Sequence, residues 1–300
     1  MIAVDWGSTS LRAFRLGADG EIIEQRRAAL GILACTDRFE AVLTQQIAGW
    51  DDALVILTGM IGSRQGWVEV PYVECPATLN DIAAGMMTVS APGLHGRNVW
   101  IVPGLLYRTA VPDVADVMRG EETQLCGLLE HLNAARHTVC LPGTHSKWAI
   151  VDKGRIESFF TAMTGEVFDL LRRHSLLARL MNEGSDTMDK PAFVQGIARA
   201  GQPGGLLHHL FSVRTAGLIG TLQPTQLASY LSGLLIAHEL LDSQWVGQAR
   251  ATRVHLIGGP ALIESYLLAM HQLGIATEIH DETLAARGVH ALARCRDLLG

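Results

Sequence analysis

The sequence lacks the features of nucleic-acid-binding, membrane and secreted proteins. Its 300 residues contain no tract rich in lysine and arginine, and the formal net charge is −6. A mildly acidic chain without a basic face argues against general nucleic-acid binding. No run of about 18 apolar residues occurs, so we expect no membrane span. The first residues lack the basic and apolar segments of a secretory signal.

Cysteines are few and scattered along the chain. There are five, and no two of them are spaced as C-x-x-C. We therefore expect reduced thiols in a cytoplasmic protein, and no zinc site.

Apolar residues make up 48% of the chain and charged residues 18%, which is typical of a well-buried globular protein. A chain of 300 residues is too long for one comfortable core. The order strand–turn–strand–turn–strand, followed by alternating helices and strands, begins at Ile2–Asp5 and again at Val139–Leu141. This repeat predicts two mixed-sheet α/β domains, residues 1–136 and 137–300, with a cleft between them. We expect the last helix, Glu282–Leu299, to pack back towards the first domain.

Apolar residues at helical spacing predict the longer helices. Among them are Thr78–Val89, Glu121–Ala135 and Thr225–Val246. The stretch from about Ser185 to Gly205 breaks the rhythm of the second half, and we interpret it as an excursion.

A polar hairpin follows the first strand. Asp5 ends that strand, and the turn after it contains Gly7, Ser8, Thr9 and Ser10. The N–H and hydroxyl groups of such a turn can approach phosphate oxygens, and an aspartate there can hold Mg²⁺, usually through water. An ordinary hairpin with an aspartate at a strand end explains the pattern equally well.

A second hairpin stands at the equivalent place in the second half. It contains Gly143, Thr144, His145, Ser146 and Lys147. Two such hairpins at equivalent positions of a repeated fold could face each other and hold a triphosphate between them. The alternative is a polar turn in which His145 is a satisfied turn residue and Lys147 a solvated charge. The pairing of the two hairpins favours the phosphate interpretation.

A third motif, formed by Gly258, Gly259 and Pro260, joins a strand to a helix. Two glycines let the backbone pass close to a flat ligand, and a helix N-terminus favours anionic groups. A tight strand–helix turn without a ligand is the alternative.

In this order, the three motifs resemble the phosphate-1, phosphate-2 and adenosine motifs of the actin/hexokinase/Hsp70-like ATPase superfamily. The resemblance covers nearly the whole chain. It implies two ribonuclease H-like (actin-like ATPase) domains with mixed five-stranded sheets, with ATP and Mg²⁺ as cofactors and Asp5 at the metal. The second motif departs from the common D-x-G-G-T form, because Pro142 stands where an aspartate is usual. A second carboxylate near Mg²⁺ is therefore not implied.

Three longer segments narrow the resemblance. They are Thr58–Trp67, Met118–Gln124 and Leu141–Trp148. Together they resemble the 2-dehydro-3-deoxygalactonokinase family. That resemblance implies transfer of the γ-phosphate of ATP to the 6-hydroxyl of 2-dehydro-3-deoxy-D-galactonate, in bacterial galactonate breakdown.

The first of these segments is rich in glycine. A loop bracketed by Gly59, Gly62 and Gly66 is flexible enough to shape a pocket, and the planar guanidinium of Arg64 suits a substrate carboxylate. A surface loop with an exposed arginine is the alternative. The expected substrate-binding residues are Gly59, Met60, Ile61, Gly62, Ser63, Arg64, Trp67 and Arg119.

Two glutamates, Glu121 and Glu122, begin a predicted helix after Gly120. Phosphoryl transfer to an alcohol needs a carboxylate that orients the hydroxyl and takes its proton. By resemblance to the G-x-E-E run of exopolyphosphatases, Glu122 is the preferred catalytic residue and Glu121 the second choice. The alternative is that the helix dipole simply favours glutamate at this position.

The expected function is an ATP- and Mg²⁺-dependent kinase of a small-molecule sugar acid, without nucleic-acid or membrane partners; a homodimer stays open. A phosphohydrolase of the exopolyphosphatase type, a kinase of a related sugar acid and a non-catalytic nucleotide-dependent binding module are the alternatives. The dense Gly59–Trp67 loop favours a small buried substrate.

Overall fold

The computed structural model describes residues 1–109, 111, 114–182, 187–242 and 253–299. The strands of the first half are β1 (Ile2–Trp6), β2 (Leu11–Leu16), β3 (Ile22–Ala28), β4 (Leu54–Thr58), β5 (Val73–Glu74), β6 (Ala77–Thr78), β7 (Met87–Val89), β8 (Asn98–Ile101), β9 (Leu105–Arg108) and β10 (Ala115–Met118). The helices there are α1 (Phe39–Gln46), α2 (Leu79–Ala84) and α3 (Glu121–Leu129).

The second half continues the alternation of strands and helices. Its strands are β11 (His137–Leu141), β12 (Ser146–Asp152), β13 (Arg155–Ala162), β14 (Val254–Ile257) and β15 (Thr277–His280). Its helices, numbered over the described residues, are α4 (Thr164–His174), α5 (Lys190–Ala200), α6 (Gly205–Leu218), α7 (Leu227–Asp242), α8 (Pro260–Gln272) and α9 (Leu284–Cys295).

The predicted mixed α/β architecture is confirmed. One sheet has the strand order β3-β2-β1-β4-β8-β7, a small sheet has the order β10-β9-β5, and another has the order β15-β14-β11-β12-β13-β6. The chain divides into two compact units. Unit 1 comprises Met1–Arg136, Ala149–Phe160 and Asp281–Gly300, and unit 2 comprises His137–Trp148 and Thr161–His280.

The two larger sheets have six strands rather than the five implied by the resemblance. The predicted helix Thr78–Val89 is wrong at its end, because α2 ends at Ala84 and Met87–Val89 forms β7. This strand pairs antiparallel with the edge of β8, as suits the β-branched residues Thr88 and Val89. The other sheet gains β6, which pairs antiparallel with β13.

Two other helix predictions differ from the structure in their bounds, and a helix lies in the stretch interpreted as an excursion. Helix α3 ends at Leu129 rather than Ala135. The supposed excursion near residues 185–205 contains α5, which is capped by the Asp189 carboxylate accepting from the Ala192 N–H over 2.9 Å. The predicted Thr225–Val246 helix is α7, and residues 243–246 lie outside the described part of the chain.

Strand β1 occupies a central place in its sheet, with β2 antiparallel on one side and β4 parallel on the other. Its residues Ile2, Val4 and Trp6 are fully buried in the apolar core of unit 1. The register sets Asp5 beside Arg12 of β2 and beside Thr58 of β4. The polar residue at the end of this strand is therefore held by backbone pairing on both sides.

Helix α3 lies very close to α9 within unit 1. A β-carbon on Gly288 would come within 1.8 Å of the Thr123 carbonyl oxygen, and one on Gly127 within 2.2 Å of the Leu284 carbonyl oxygen. Both positions therefore require glycine, and α9 fixes the start of α3, where the two glutamates stand. None of the helices in the described residues has the length and hydropathy of a membrane span.

Candidate active site

The carboxylate of Asp5 forms an ion pair at the end of β1. Its Oδ2 lies 2.8 Å from Arg12 Nη2, and Arg12 in turn lies 2.5 Å from Glu282 Oε2. Burial raises the pKa of Asp5, and the neighbouring Arg12 opposes that rise. An anionic oxygen that is held in place by an arginine can serve as a ligand or water acceptor for a hard divalent cation.

The hairpin after Asp5 is closed by its own backbone. The Gly7 N–H donates to the Ser10 carbonyl oxygen over 2.9 Å. Ser8, Thr9 and Ser10 are exposed. Their hydroxyl groups are accordingly accessible to a ligand, as a phosphate-binding turn requires.

The glycine-rich loop begins directly beside Asp5. Gly59 has φ 90°, and a β-carbon there would lie 3.2 Å from Asp5 Oδ1 and 2.8 Å from the Trp6 carbonyl oxygen. A β-carbon on Gly120 would lie 3.4 Å from the Gly59 Cα. Gly59 is therefore sandwiched between Asp5 and the residue that precedes the two glutamates. The structure brings together three motifs that are separated by more than fifty residues in the sequence.

Glu122 is fully buried at the start of α3. The Gly120 N–H donates to its Oε2 over 2.6 Å, and the Thr58 hydroxyl donates to its Oε1 over 3.2 Å. Burial, assisted by the neighbouring charge of Glu121, raises the pKa of Glu122 to about 8. A carboxyl group with that pKa can exchange a proton near neutral pH, as a general base or acid must.

Glu121 has a different environment from its neighbour. It is half-buried, and its Oε2 accepts a hydrogen bond from the Arg119 N–H over 3.1 Å. The helix dipole at the start of α3 favours both carboxylates as anions. Glu122 is the more deeply buried of the two glutamates, and its raised pKa makes it a group whose protonation changes near neutral pH.

Arg119 has buried donors for which the described part of the chain offers no acceptor. Its Nη2 donates to the Val70 carbonyl oxygen over 2.7 Å, and its guanidinium lies 4.4 Å from the centre of the Tyr72 ring. The buried Nε and Nη1 have no hydrogen-bond partner among the residues that the structure describes. A β-carbon on Gly62 would lie 3.0 Å from Nη1. An arginine with unsatisfied N–H groups beside a glycine-rich loop is suited to an anionic ligand.

Arg64, the residue predicted to bind the substrate carboxylate, lies at the surface. Its side chain is 86% exposed and forms an ion pair with Glu69, with Nε 2.9 Å from Oε1. Elsewhere in the loop Ile61 is fully buried, and Trp67 packs against the core of unit 1. The Ser63 hydroxyl donates to the Met60 carbonyl oxygen over 2.7 Å. These contacts hold the loop in shape.

The hairpin of unit 2 packs against the start of α4. The Glu166 N–H donates to the Thr144 carbonyl oxygen over 2.9 Å, and a β-carbon on Gly165 would lie 2.4 Å from the Gly143 carbonyl oxygen. His145 contacts the Glu166 carboxylate through Nε2. Thr144 and His145 are exposed, so this turn presents polar groups to solvent.

Lys147 does not lie in solvent. Its side chain is buried, and Nζ donates to the Thr161 hydroxyl over 2.8 Å. The Lys147 side chain therefore faces strand β13 and connects the hairpin to the sheet.

A buried polar network lies beneath the same hairpin. The Ser146 hydroxyl lies 2.7 Å from the Tyr266 hydroxyl, and Tyr266 donates to Glu239 Oε2 over 2.7 Å. Trp148 Nε1 donates to Glu239 Oε1 over 2.7 Å, and the Thr164 hydroxyl also donates to this carboxylate. Burial raises the pKa of Glu239, and these hydrogen bonds oppose the rise.

Sequence reasoning missed Glu239 and Tyr266. The leucine-rich stretch Leu231–Leu241 is apolar except for a few residues, and it suggests only a core helix. A single carboxylate in such a helix was the available signal, because a buried glutamate needs partners.

The third motif lies next to the second within unit 2. A β-carbon on Gly258 would lie 3.7 Å from Pro142 Cδ, and Gly259 precedes α8, with Pro260 at its first position. A cavity of about 540 Å³ opens here. Its lining includes Gly143, Gly165, Phe168, Ala261, Leu262 and Tyr266. A largely apolar cavity that ends at a polar glycine turn can accept a flat ring attached to an anionic group.

Comparison with known proteins identifies close relatives. The family described as 2-keto-3-deoxy-galactonokinase matches residues 5–292. A protein of Rhizobium meliloti (strain 1021), named probable 2-dehydro-3-deoxygalactonokinase, is 37% identical over 300 residues, covering 97% of this chain and 96% of that protein. The 2-dehydro-3-deoxygalactonokinase of Escherichia coli (strain K12) is 34% identical over 297 residues, covering 97% of each chain.

Solved structures agree with these sequence matches. A crystal structure from Sinorhizobium meliloti, described provisionally as a 2-dehydro-3-deoxygalactonokinase, has a TM-score of 0.88 and 36% identity, covering 98% of each chain. The activator of 2-hydroxyisocaproyl-CoA dehydratase from Clostridium difficile, with bound ADPNP, has a TM-score of 0.53 and 12% identity, covering 99% of this chain and 96% of that one. The predicted actin-like ATPase fold is confirmed.

Proposed function

Because the chain belongs to the 2-keto-3-deoxy-galactonokinase family, we propose that it phosphorylates 2-dehydro-3-deoxy-D-galactonate with ATP, as a step of galactonate catabolism. The accepting group is the 6-hydroxyl of the sugar acid. The observation that supports this proposal is the convergence of Asp5, Gly59 and Gly120 in unit 1, because the Asp5 carboxylate, proposed to bind the metal, lies next to the residues around the proposed base.

The proposed general base is Glu122. The bond between the γ-phosphorus and the bridging oxygen of ATP breaks, the substrate O6 forms a bond to phosphorus, and the O6 proton passes to the carboxylate. Two hydrogen bonds, from the Gly120 N–H and the Thr58 hydroxyl, orient that carboxylate. Its pKa of about 8 makes it a strong enough base to accept the proton. Glu121 is the alternative base, since it is less buried.

The substrate carboxylate has a second candidate partner besides Arg64. Arg119 has two buried nitrogen donors without an acceptor in the described ranges, and it lies against Gly62 of the glycine-rich loop. Carboxylate oxygens can accept from such donors, and leaving them unpaired costs about 1–3 kcal/mol or more for a charged group. We therefore assign the substrate carboxylate to Arg119, with Arg64 as a peripheral contact.

Each unit contains groups that suit part of a nucleotide. In unit 2, the cavity beside Gly143 and Gly258 suits the adenosine and the adjoining phosphate. In unit 1, the exposed hydroxyls of Ser8 and Thr9 suit phosphate oxygens. Mg²⁺ fits the Asp5 carboxylate, an oxygen ligand held by Arg12. When bound, the ion would neutralise charge on the transferred phosphoryl group.

The setting of the enzyme is also part of the proposal. Its five cysteines are free, and four of them are buried. Free thiols persist in a reducing compartment such as the cytoplasm. A homodimer stays a prediction, which the molar mass in solution would test.

A sugar-acid panel with ATP and Mg²⁺ tests the function. The panel includes the galactonate substrate and its gluconate epimer, and ADP and inorganic phosphate are both measured. ADP release that depends on the galactonate acceptor supports the proposal. Phosphate release without an acceptor would show a phosphohydrolase, a preference for the epimer would show a related kinase, and nucleotide binding without turnover would show a binding module.

A further inference from the structure

Three histidines form a row across neighbouring strands of unit 2. His137 begins β11, His255 lies in β14 and His280 ends β15. The parallel register pairs Val139 with His255, and His255 with Glu278. Since side chains two residues apart share a face of a strand, all three imidazoles and the Glu278 carboxylate project from one face of the sheet.

The donor atoms of this row lie close together. His255 Nδ1 lies 2.9 Å from His280 Nε2, and Glu278 Oε1 lies 3.9 Å from the same nitrogen. The ligand atoms offered by His255, Glu278 and His280 all lie within 4.8 Å of one another. We propose that these three residues bind a divalent transition-metal ion of the zinc class, at a site separate from the residues assigned to phosphoryl transfer.

The distances fit the geometry of such a site. Tetrahedral zinc holds nitrogen and oxygen ligands at about 2.0–2.2 Å, so neighbouring ligand atoms stand roughly 3.3–3.5 Å apart. The observed separations of 2.9 Å and 3.9 Å lie on either side of that value. Side-chain rotations that move the donor atoms by roughly half an ångström would bring these two separations to that value.

Outer contacts hold two of the ligands in the required orientation. His137 Nδ1 lies 3.0 Å from His255 Nε2, the ring nitrogen that does not face His280. Arg253 Nη1 lies 3.4 Å from Glu278 Oε2, the carboxylate oxygen that does not face His280. Metal-binding histidines and carboxylates are commonly held through their second atom in this way, which fixes the tautomer and orientation.

The chemistry of the ligands selects the class of ion. Two imidazoles and a carboxylate suit zinc and its spectroscopic substitute cobalt, whereas magnesium prefers oxygen ligands and keeps several waters. The side chains of His280 and Glu278 are 19% and 44% exposed, so an ion and a water in the fourth position have access. The ion would tie β14 to β15, and β14 leads directly into Gly258.

The sequence does not reveal this cluster by spacing. Cysteine spacing gives no sign of a zinc site, and the three ligands come from two strands separated by helix α8. Only the parallel pairing of β14 with β15 brings them together.

Cobalt binding to the full, tag-free chain tests the proposal. The protein is treated with a chelator, dialysed into buffer with excess Mg²⁺, and titrated with Co²⁺ and then Zn²⁺. We expect about one Co²⁺ per chain with the visible absorption of four-coordinate cobalt, its displacement by Zn²⁺, and a rise in melting temperature on Zn²⁺ addition. Absence of such absorption in the wild-type protein would overturn the proposal.

Three variants test whether the ion binds at the named residues. His280→Asn should abolish both the cobalt spectrum and the thermal shift. Glu278→Gln, which keeps the side-chain shape, should weaken binding at least 10-fold, and His137→Asn should weaken it about 10- to 100-fold through the orientation of His255.

His271→Asn is the matched control. His271 is exposed near the end of α8 in the same unit, and this variant should bind cobalt as the wild type does. Equal binding by the wild type, His280→Asn and Glu278→Gln would overturn the site, even where His280→Asn alone is unstable. The readouts are independent of kinase activity.

Discussion

Tyr266 donates its hydroxyl hydrogen to Glu239 Oε2 over 2.7 Å, and the same hydroxyl lies 2.7 Å from the Ser146 hydroxyl. One phenol therefore links a buried carboxylate to the hairpin proposed to bind phosphate. This relationship supports the hairpin through side-chain hydrogen bonds, in addition to its backbone contact with Glu166.

Removing the hydroxyl group of Tyr266 should weaken nucleotide binding. Tyr266→Phe leaves a buried carboxylate and a buried serine each short of a partner, which costs about 1–3 kcal/mol. We expect a lower midpoint in urea unfolding and a KM for ATP raised several-fold, with the KM for the sugar acid little changed.

Tyr230→Phe is the control for a loss of stability alone. The Tyr230 hydroxyl lies 2.9 Å from the Ser212 hydroxyl in the same unit, away from the hairpin. The Tyr230→Phe variant should lose stability without a change in the KM for ATP. A normal KM for ATP in Tyr266→Phe would contradict the supporting role of the network.

Glu122→Gln should lower kcat by roughly 100- to 10,000-fold, because general-base catalysis contributes about that much. In the wild type kcat/KM should rise with pH towards about 8, since the base acts only when ionised and its pKa is about 8. Glu121→Gln is the matched comparison. If Glu121→Gln shows the larger loss and abolishes the pH dependence, Glu121 is the base.

The same carboxyl group should lower the free energy of unfolding as pH rises, whereas it raises kcat/KM. Its folded-state pKa of about 8 lies above the ordinary 4.5, so the folded state binds more protons than the unfolded state between these values. The contribution of Glu122 to the free energy of unfolding therefore falls as pH rises from about 4.5 to about 8. Relative to the wild type, Glu122→Gln should gain free energy of unfolding as pH rises through this window, as urea unfolding at several pH values would show. A pH-independent difference would contradict the raised pKa.

Arg119→Lys should raise the KM for the sugar acid. Lysine keeps the positive charge and loses the two-pronged geometry, and a hydrogen bond to a charged group contributes about 1.5–3 kcal/mol, or roughly 10- to 150-fold. The KM for ATP should stay near normal, and the variant should discriminate less against an analogue without the carboxylate. Arg64→Ala is the comparison, because Arg64 is 86% exposed. A large effect of Arg64→Ala, with none from Arg119→Lys, would return the carboxylate to Arg64.

Gly59→Ala should damage both stability and activity. Gly59 has φ 90°, and a new methyl group would lie 2.8 Å from the Trp6 carbonyl oxygen and 3.2 Å from Asp5 Oδ1. Gly96→Ala separates the effect of the positive φ from the effect of the close contacts. Gly96 has φ 80° and nothing within 4 Å of a β-carbon. Gly96→Ala should cost about 1–2 kcal/mol of stability with full activity, whereas Gly59→Ala should cost more and lose most of its kcat. Equal effects would mean that the contact with Asp5 is unimportant.

Much of the fold was predictable because its signals are local. The strands on either side of the Asp5 hairpin, and the turn at Gly258, are marked by short apolar runs and glycine. The division of Met87–Val89 from α2 was not predictable, because pairing with β8 decided it. The sequence indicated Arg119 as a substrate-binding residue, but the burial of its donors depends on tertiary contacts with Val70 and Tyr72.

The sequence by itself determined the order of strands and helices and the residues that form each polar turn. Both depend on residues that are neighbours in the chain. Only the tertiary structure decided which of those turns share a site, how deeply Glu122 is buried and what supports Ser146. Burial and hydrogen bonding between distant residues set these properties, and both depend on packing that no local pattern specifies.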